Sequence, residues 1–253
     1  MIQLSVVIIT FNEEINIERC LLSVKNIADE VVVVDSFSTD KTKAICERHG
    51  ARFLTHKFEG HIEQKNYALK KAKFDYILSL DADEAVSSKL EESILKVKKN
   101  WKGDAYKMNR LTNYCGTWIR HGSWYPDTKL RLAAKETVTW GGDNPHDRLL
   151  PLSNSETVHL KGDILHYSYY TVEGHYLQQE KFSSIAAKAL FNRGKKAPWY
   201  KLILNPIASL VKDLIIRSGY LDGKAGFKVA QISALSVYWK YKKLRQLWAG
   251  KTL

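Results

Sequence analysis

Buried-strand and helical patterns alternate along the first hundred residues. Residues 4–10 (LSVVIIT) and 30–36 (EVVVVDS) are nearly continuous runs of apolar, mostly β-branched residues, which is typical of strands buried on both faces. Residues 13–25 and 41–50 have apolar positions at helical spacing, and Ser38-Thr39-Asp40 offers an N-cap to the second helix. A short strand (ARFLT), a helix over 61–73 and a strand over 75–84 follow. This alternation predicts a parallel sheet with right-handed crossovers.

The pattern changes after residue 100. Residues 105–170 are rich in Trp, Tyr, Gly and His and have only short apolar alternations, which indicates a mixed α+β region. From about residue 172 the spacing is helical, with segments over 173–191, 199–219 and 225–248 that Gly- and Pro-containing stretches separate. We therefore expect a folded domain over 1–171, with a division near residue 100, and a helical extension over 172–253.

The net charge of +12 lies in the C-terminal segment. Residues 180–253 contain 15 Lys+Arg and 3 Asp+Glu, whereas the remaining residues contain 24 of each sign. Such a basic tail suits nucleic acid or an anionic membrane surface. Its longest uncharged stretches have 10 and 11 residues, short of the roughly 18–20 that cross a bilayer. The basic, Trp-containing helices are therefore expected to lie on a membrane surface.

The N-terminus and the cysteines exclude two further protein classes. The segment MIQLSVVIITFNEE lacks a basic n-region and a cleavage site, so we interpret it as a buried strand and not a signal peptide. Cys20, Cys46 and Cys115 are an odd and widely spaced set without a CxxC pair. They are expected to be reduced thiols of a cytosolic protein, not a disulfide framework or a zinc site.

Polar side chains follow three of the predicted strands, at the point where each strand ends. They form the clusters Thr10/Asn12/Glu13, Asp35/Ser36 and Asp81/Asp83. Parallel sheets of this kind bind ligands at the carboxyl ends of their strands. Three such clusters at one edge are hard to explain by packing alone.

The Asp81-Ala82-Asp83 triplet is the most specific chemical signal. A strand ending in two alternating acids would place both carboxylates on one side, where they can hold Mg²⁺ or Mn²⁺. The cation would neutralise a diphosphate leaving group. The alternative is a solvated turn followed by an N-capped helix over SSKLEESILKV.

Other functional classes fit less well. No GxGxxG follows the first strand, where ITFNEE stands, and this counts against a nicotinamide-dependent oxidoreductase. A non-enzymatic membrane or nucleic-acid-binding protein would use the basic tail, but the chain has no zinc-finger spacing or RNP-like motif. Three clusters of acids would also repel phosphates unless a cation intervenes.

Several motifs together resemble the family 2 GT-A glycosyltransferases, and within them most resemble the lipopolysaccharide-core β-1,4-glucosyltransferase group (WaaE/KdtX-like). They cover nearly the whole chain: SVVIITFNEE, ADEVVVVDSFSTDKT, QKNYAL, DYILSLDADE, WIRHGSWYPDTKLRL and LDGKAGF. The resemblance implies an α/β GT-A fold, with a Rossmann-like, mostly parallel central sheet flanked by helices. It also implies a nucleotide-binding half over 1–100, an acceptor half over 101–171 and a basic, membrane-associating helical extension over 172–253.

The resemblance also implies roles for the polar clusters. The nucleotide-sugar would be held by Thr10, Asn12, Glu13, Asp35, Ser36, Lys65 and Asp81. Asp83 would bind the metal, and Asp81 would contact either the ribose or the metal. A structural carboxylate is the alternative for Asp35, and a solvated helix face is the alternative for Lys65, which would otherwise pair with phosphate.

An inverting transfer needs a base that removes the acceptor proton. Asp147, in NPHDR, resembles the family's base, and His146 could orient it. Asp127 and Asp143 are rival candidates for the base. Each of the three aspartates could instead be a turn or capping carboxylate. His166 is a further candidate for metal or phosphate, or else a core histidine. The residues Arg120, His121, Trp124 and Tyr125 combine donors with aromatic rings and suit a sugar or phosphate acceptor.

The activity implied by the resemblance is transfer of a hexose, with glucose the expected sugar, from a UDP-sugar to a lipopolysaccharide-core or other lipid-linked glycan. Mg²⁺ or Mn²⁺ would assist. A capsular or other cell-surface glycan is the alternative acceptor. The enzyme would work at the cytoplasmic face of the bacterial inner membrane, held peripherally by its C-terminal helices.

Overall fold

A computed structural model describes residues 1–143, 146–153 and 156–252, apart from the side chains of Asp143 and His146. The chain divides into two compact units. One consists of Met1–Arg110 and Asp127–Tyr167, and the other of Leu111–Pro126 and Ser168–Leu253. The second unit therefore takes in residues 111–126 together with the C-terminal helices. The functional division of the chain at residue 171 stays a prediction.

The first unit begins with the predicted alternation of strands and helices. Its elements to residue 99 are β1 (Leu4–Thr10), α1 (Ile17–Val24), β2 (Glu30–Asp35), α2 (Thr42–Arg48), β3 (Arg52–Thr55), α3 (His61–Lys71), β4 (Tyr76–Asp81), β5 (Glu84–Val86) and α4 (Ser88–Lys99). Strands β3, β2, β1 and β4 lie side by side in this order and are all parallel. The α/β class and the parallel sheet expected for this half are confirmed.

The remaining strands make the sheet mixed. The elements that follow are β6 (Ala105–Tyr114), β7 (Thr117–Trp118), β8 (Asp127–Ala134), β9 (Val138–Asp143), β10 (His146–Pro151) and β11 (Thr157–Tyr169). Strand β8 pairs antiparallel with β4 and β6, and β5 pairs antiparallel with β11. Strands β9 and β10 form a separate two-stranded ribbon. The described residues from 105 to 169 are therefore strands joined by short 3₁₀ turns, with no α-helix, so the expectation of a mixed α+β region is right for the strands and wrong for the helices.

Side chains of β1 alternate between two cores on opposite faces of the sheet. Val6 and Ile8 pack in the core that α1 and α4 cover, whereas Val7 packs in the core that includes residues of α3 and β9. This two-sided burial explains the continuous apolar run, because neither face of the strand meets water. The central sheet thus holds the ends of β1, β2 and β4 at fixed positions.

The strand predicted over residues 75–84 is shorter in the structure. The strand expected over 75–84 ends at Asp81, and Ala82-Asp83 forms a turn before β5 begins at Glu84. The Glu84 carboxylate accepts a hydrogen bond from the backbone N–H of Asp81 at 3.0 Å, which closes this turn. Asp81 and Asp83 therefore do not alternate along one straight strand. The N-capped helix weighed as the alternative is also present, since Ser87 accepts from Leu90 N–H at the start of α4.

The second unit contains three helices, α5 (Val172–Asn192), α6 (Lys201–Val211) and α7 (Gly223–Trp248). Helix α7 packs against both α5 and α6. A π-helical turn over Lys212–Ile216 extends α6 toward the loop that precedes α7. Across the part of the chain that the structure describes, we find no helix with the length and hydropathy to cross a membrane.

An aromatic cluster lies in the same unit. The ring of Trp124 stacks on Tyr169 with centroids 5.2 Å apart, and Tyr114 meets Trp124 edge-on. His175 is fully buried among these rings, and its Nδ1 lies 3.2 Å from the Tyr114 hydroxyl. Burial lowers the pKa of His175 to about 4, so its imidazole is neutral at physiological pH.

All three cysteines are free, with Cys20 and Cys46 buried and Cys115 exposed. The expectation of unpaired thiols is confirmed.

Candidate active site

The ends of the three central strands lie side by side. Thr10 is in register with Asp35 on β2, and Ile9 is in register with Asp81 on β4. The clusters that follow these strands therefore share the carboxyl edge of the parallel sheet, as the sequence predicted. This is the edge at which α/β sheets bind their ligands.

Two loops at this edge are fastened to each other. Asn12, whose φ is 54°, donates its backbone N–H to Ser38 Oγ at 2.8 Å, and its side-chain oxygen accepts from Thr39 N–H at 2.8 Å. The backbone N–H of Glu13 donates to Thr42 Oγ1 at 2.9 Å. These bonds hold the loop after β1 against the loop after β2.

The residues predicted to hold a nucleoside face this edge. Asp35 is buried, and both its oxygens accept hydrogen bonds from Ser38, one from the backbone N–H at 2.8 Å and one from the hydroxyl. Ser36 Oγ accepts from Gln64 Nε2 at 3.1 Å. The hydroxyl of Thr10 is buried and has no hydrogen-bond partner among the described residues. Buried polar groups are normally paired, so this unpartnered hydroxyl at a strand end is suited to a ligand.

Lys65 bridges two of the candidate carboxylates. Its Nζ lies 2.7 Å from Asp147 Oδ2, and 2.9 Å and 3.2 Å from the two oxygens of Asp81. The ammonium also lies 4.3 Å from the centre of the Trp140 ring. The Lys65 side chain is 5% exposed, so it is a buried ion-pair partner and not part of a solvated helix face. Its predicted contact with phosphate stays a prediction.

The flanking residues hold α3, and with it Lys65, in place. Gln64 bonds Ser36 at the end of β2, as described above. The side-chain amide of Asn66 exchanges two hydrogen bonds with the backbone of Trp140, both 2.9 Å long. The segment Gln64-Lys65-Asn66 thus ties α3 to β2, to the carboxylates and to β9.

A buried cationic cluster surrounds Asp81, and sequence reasoning missed it. Arg131 lies 2.9 Å from Glu84 and 3.4 Å from Asp81, and Arg110 lies 3.4 Å from Glu84. Burial alone would raise the pKa of Asp81, but Lys65 and Arg131 outweigh burial and hold this pKa well below its usual range. The signal was present, because Arg131 interrupts the apolar run Leu130–Ala134, and a charge inside a buried strand requires a partner.

Asp83 and His166 form the candidate metal pair. His166 Nε2 lies 3.1 Å from Asp83 Oδ2, and both side chains are partly exposed. In the described part of the chain no group of three or more His, Cys, Asp or Glu residues converges on one point. The Asp83 carboxylate fits Mg²⁺ or Mn²⁺, which take other ligands from substrate phosphates and water, and the His166 imidazole is a ligand type common for transition metals.

The surrounding charge also favours a cation. Burial raises the pKa of Glu13, and although its hydrogen bond with Asn16 opposes this, the nearby charges of Asp83 and Asp81 raise the pKa further. A bound cation near Asp83 would relieve this repulsion. Asp81 is less suited to metal binding than Asp83, because its oxygens already contact Lys65 and Arg131.

A cleft with a volume of about 640 Å³ opens at Asp81, lined among others by Lys65, Asp81, Asp127, Arg131, Trp140 and Asp147. Its size is within the range of small-molecule sites. Lysine and arginine side chains make up much of its wall. The cleft is therefore suited to an anionic ligand.

The candidates for the base differ in their surroundings. Asp147 borders the cleft, and its Oδ2 accepts from Lys65. Asp127 lies between Arg110 and Lys129, each 2.9 Å from one of its oxygens, and burial, which would raise its pKa, is outweighed by these cations. The side chains of Asp143 and His146 lie outside the described residues. The assignment of Asp147 as the base stays a prediction.

The predicted acceptor residues belong to the second unit. Arg120, His121 and Tyr125 line a pocket of about 600 Å³ together with Ser123, Pro126 and Arg217. Trp124 packs in the aromatic cluster and is not among the residues that line this pocket.

A buried aspartate shapes the pocket. One oxygen of Asp222 accepts from the backbone N–H groups of Arg120 and His121 at 3.0 and 2.8 Å, and the other lies 2.8 Å from His121 Nδ1. Asp222 belongs to the LDGKAGF motif, so that motif holds the pocket loop in place.

Comparisons with known proteins identify relatives of the chain. A family model described as "Glycosyl transferase family 2" matches residues 5–153. An uncharacterized glycosyltransferase of Rickettsia typhi is 32% identical over 98% of this chain and 88% of its own length. The lipopolysaccharide core biosynthesis glycosyltransferase LpsC of Rhizobium meliloti is 27% identical over 98% of this chain and 94% of its own. Among solved structures, TarS of S. aureus (residues 1–349) aligns with 15% identity and a TM-score of 0.47, covering 98% and 92% of the two chains.

Proposed function

Because the chain belongs to glycosyl transferase family 2, we propose that it is an inverting hexosyltransferase that a divalent cation assists. The donor is a UDP-sugar, with glucose as the sugar, and the acceptor is a lipopolysaccharide-core or other lipid-linked glycan. The name of LpsC supports the acceptor class, since that relative aligns over nearly the whole of both chains.

One observation carries the proposal. Asp81 and Asp83 lie at the carboxyl edge of the parallel sheet and have two basic partners: Lys65 bridges Asp81 to Asp147, and His166 faces Asp83. A site with a prearranged acid–imidazole pair beside a cation-lined cleft suits a nucleoside diphosphate with its metal.

The transfer itself is an in-line displacement. The acceptor hydroxyl attacks the anomeric carbon from the face opposite the diphosphate, while its proton passes to Asp147. The new C–O bond forms as the bond to the diphosphate breaks, and that electron pair leaves with the diphosphate. Lys65 engages Asp147 Oδ2, so Oδ1 is the oxygen that takes the proton.

The other polar residues hold the donor. Asp35 and Thr10, which are buried at strand ends, would bind the nucleoside, and the diphosphate would lie in the cleft that Lys65 and Arg131 line. Asp83 and His166 would hold the Mg²⁺ or Mn²⁺. When bound, the cation would neutralise charge that develops on the leaving diphosphate.

The second unit serves the acceptor and the membrane. The guanidinium groups of Arg120 and Arg217 border a pocket suited to phosphate or sugar hydroxyls. The basic helices hold the enzyme peripherally at the cytoplasmic face of the inner membrane, with about 1 kcal/mol for each Lys or Arg near an anionic surface. Binding to anionic vesicles should therefore weaken as salt is raised, and binding that is unchanged from 50 to 500 mM NaCl (on the order of a threefold change in Debye length) would contradict the electrostatic contribution.

A thermal-shift screen tests the donor proposal. The full-length protein is heated with a panel of UDP-, GDP- and dTDP-sugars, each with and without Mn²⁺. A UDP-hexose with Mn²⁺ is expected to raise the Tm most, because a ligand that binds the folded state stabilises it in proportion to ln(1 + [L]/Kd). If no sugar nucleotide raised the Tm, even with Mn²⁺, the proposed activity would be refuted.

A further inference from the structure

Helix α6 carries an apolar face that the unit leaves uncovered. None of its residues is buried. Ile203, Leu204 and Ile207 are 52%, 58% and 54% exposed. Their spacing of one, three and four residues places them on one side of the helix. Val211, Ile215 and Ile216 continue this side through the π-helical turn and are also exposed.

Helix α6 packs against α7, which fixes the helix to the unit while these apolar side chains stay exposed. Its 11 residues correspond to about 16 Å, roughly half the thickness of a hydrocarbon core. A helix of this length cannot span a bilayer but can lie in the interface, with its apolar face below the headgroups.

The charge around this face has one sign. From residue 181 to the end the chain contains 15 Lys+Arg and two acids, Asp213 and Asp222. Both acids are engaged inside the unit: Asp213 is 5% exposed and accepts from the Ser123 hydroxyl, and the Asp222 side chain is 5% exposed. The solvent-facing charge of α6 and α7 is therefore cationic.

Two aromatic residues lie immediately before α6. Trp199 and Tyr200 precede it and are 68% and 45% exposed. Such rings are enriched where a protein crosses from headgroups to acyl chains. An apolar stripe, interfacial aromatic residues and the cationic surfaces of α6 and α7 match a single kind of partner, an anionic lipid surface.

We propose that the α6 face, defined as Trp199, Ile203, Leu204, Ile207, Val211, Ile215 and Ile216, inserts into the acyl boundary of an anionic lipid monolayer. A second copy of the chain is the weaker occupant, because it would bring a second set of cations against the first. The inference rests on the membrane association in the proposed function and adds to it a hydrophobic anchor at a defined helix.

Lysine substitutions separate insertion from charge attraction. In Leu204→Lys and Ile207→Lys the apolar face loses a side chain while the net charge rises by one. Insertion predicts that each variant binds vesicles of phosphatidylcholine and phosphatidylglycerol at least tenfold more weakly than wild type at 300 mM NaCl, where charge attraction is screened. Attraction by charge alone predicts equal or tighter binding.

Leu177→Lys is the matched control. Leu177 is 69% exposed on α5, so the same substitution removes an exposed leucine from another helix of the unit. Its binding should stay within twofold of wild type. Because all three positions are exposed, the variants should fold, and an unchanged Tm and far-UV circular dichroism spectrum check this.

Two results would overturn the inference. One is vesicle binding by Leu204→Lys and Ile207→Lys that equals that of Leu177→Lys. The other is a stable dimer in light scattering that both α6 variants dissociate. Vesicle binding is measured without a donor nucleotide, so failure here leaves the transferase proposal standing, and failure of the thermal-shift screen leaves this inference standing.

Discussion

Replacement of Lys65 by methionine tests the buried ion-pair network at the centre of the site. The substitution keeps most of the side-chain volume and removes the ammonium that contacts Asp81 at 2.9 Å and Asp147 at 2.7 Å. Asp81 retains Arg131 at 3.4 Å. Asp147 loses the one ion-pair partner that the described residues give it.

The expected cost is large because the site is buried. Removing one partner of a buried ion pair typically costs 3–5 kcal/mol, since the other charge is left uncompensated. The Lys65 and Asp147 side chains are 5% and 11% exposed, so we expect a loss of about 3–5 kcal/mol in the free energy of unfolding. Lys43→Met removes an exposed pair with Glu47, at 3.8 Å, and should cost about 0.5 kcal/mol or less.

Acid titration gives a second measure of the same network. Because the pKa of Asp81 is lowered in the folded state, its stabilising contribution is present above the unfolded pKa of roughly 3.9 and is lost as pH falls below it. For one strongly shifted carboxylate the loss between pH 5 and pH 3 is about 1 kcal/mol. In Lys65→Met the Asp81 pKa moves back toward its ordinary value, so this loss should be smaller.

Urea unfolding at pH 7, 5 and 3 measures both effects on wild type, Lys65→Met and Lys43→Met. A Lys65→Met protein that is within about 1 kcal/mol of wild type at pH 7 and has the same dependence on acid would show that this ion-pair network does not stabilise the fold.

Two further predictions concern stability. Gly162→Ala should lower the free energy of unfolding by about 3 kcal/mol or more, because φ is +98° and the new Cβ would lie 2.3 Å from the Leu90 backbone nitrogen. Gly116→Ala, with φ of +89° and no atom within 4 Å, should cost only about 1–2 kcal/mol, and equal costs in urea unfolding would contradict the packing argument. In the folded protein burial lowers the pKa of His175 to about 4, whereas in the unfolded chain this pKa has its ordinary value of about 6.5. The unfolded state therefore binds the proton first as pH falls, and the free energy of unfolding should decrease by about 2 kcal/mol between pH 7 and pH 5. The variant His175→Phe should lack this part of the acid dependence, and an unchanged slope would show that another group causes it.

The parallel half of the fold was predictable because local signals agree with tertiary burial. The β-branched runs of β1 and β2 could only be strands buried on both faces, and the helical spacings between them left little choice of connection. The residues at which strands end were less predictable. The hydrogen bond from Asp81 N–H to Glu84 breaks the expected strand 75–84, and this bond depends on side-chain geometry that spacing does not encode.

The residues of the candidate site could be predicted from the sequence, but the side chains with which they form ion pairs and contacts could not. The clusters at Thr10, Asp35 and Asp81 follow from strand ends, which sequence locates well. The burial of Lys65 could not be predicted from the sequence, because α3 (HIEQKNYALKK) has a polar pattern and because Lys65 contacts Asp147, which is 82 residues further along the chain. In the same way, residues 111–126 join the second unit through contacts of Tyr114 and Trp124 with His175, which no local pattern reveals.

Release of nucleoside diphosphate from the donor tests the central claim most directly. Wild type, Asp83→Asn and Asp147→Asn are incubated with the UDP-hexose that the screen selects and with membranes that contain acceptor, with and without Mn²⁺. UDP release and Mn²⁺-dependent UDP binding by calorimetry are then measured for each.

We expect acceptor-dependent UDP release by the wild type. Asp147→Asn should bind UDP and Mn²⁺ as the wild type does but turn over on the order of 10²–10⁴ times more slowly, as for loss of a general base. Asp83→Asn should bind UDP at least tenfold more weakly in the presence of Mn²⁺. Full turnover by Asp147→Asn, or unchanged Mn²⁺-dependent binding by Asp83→Asn, would contradict the account of this site.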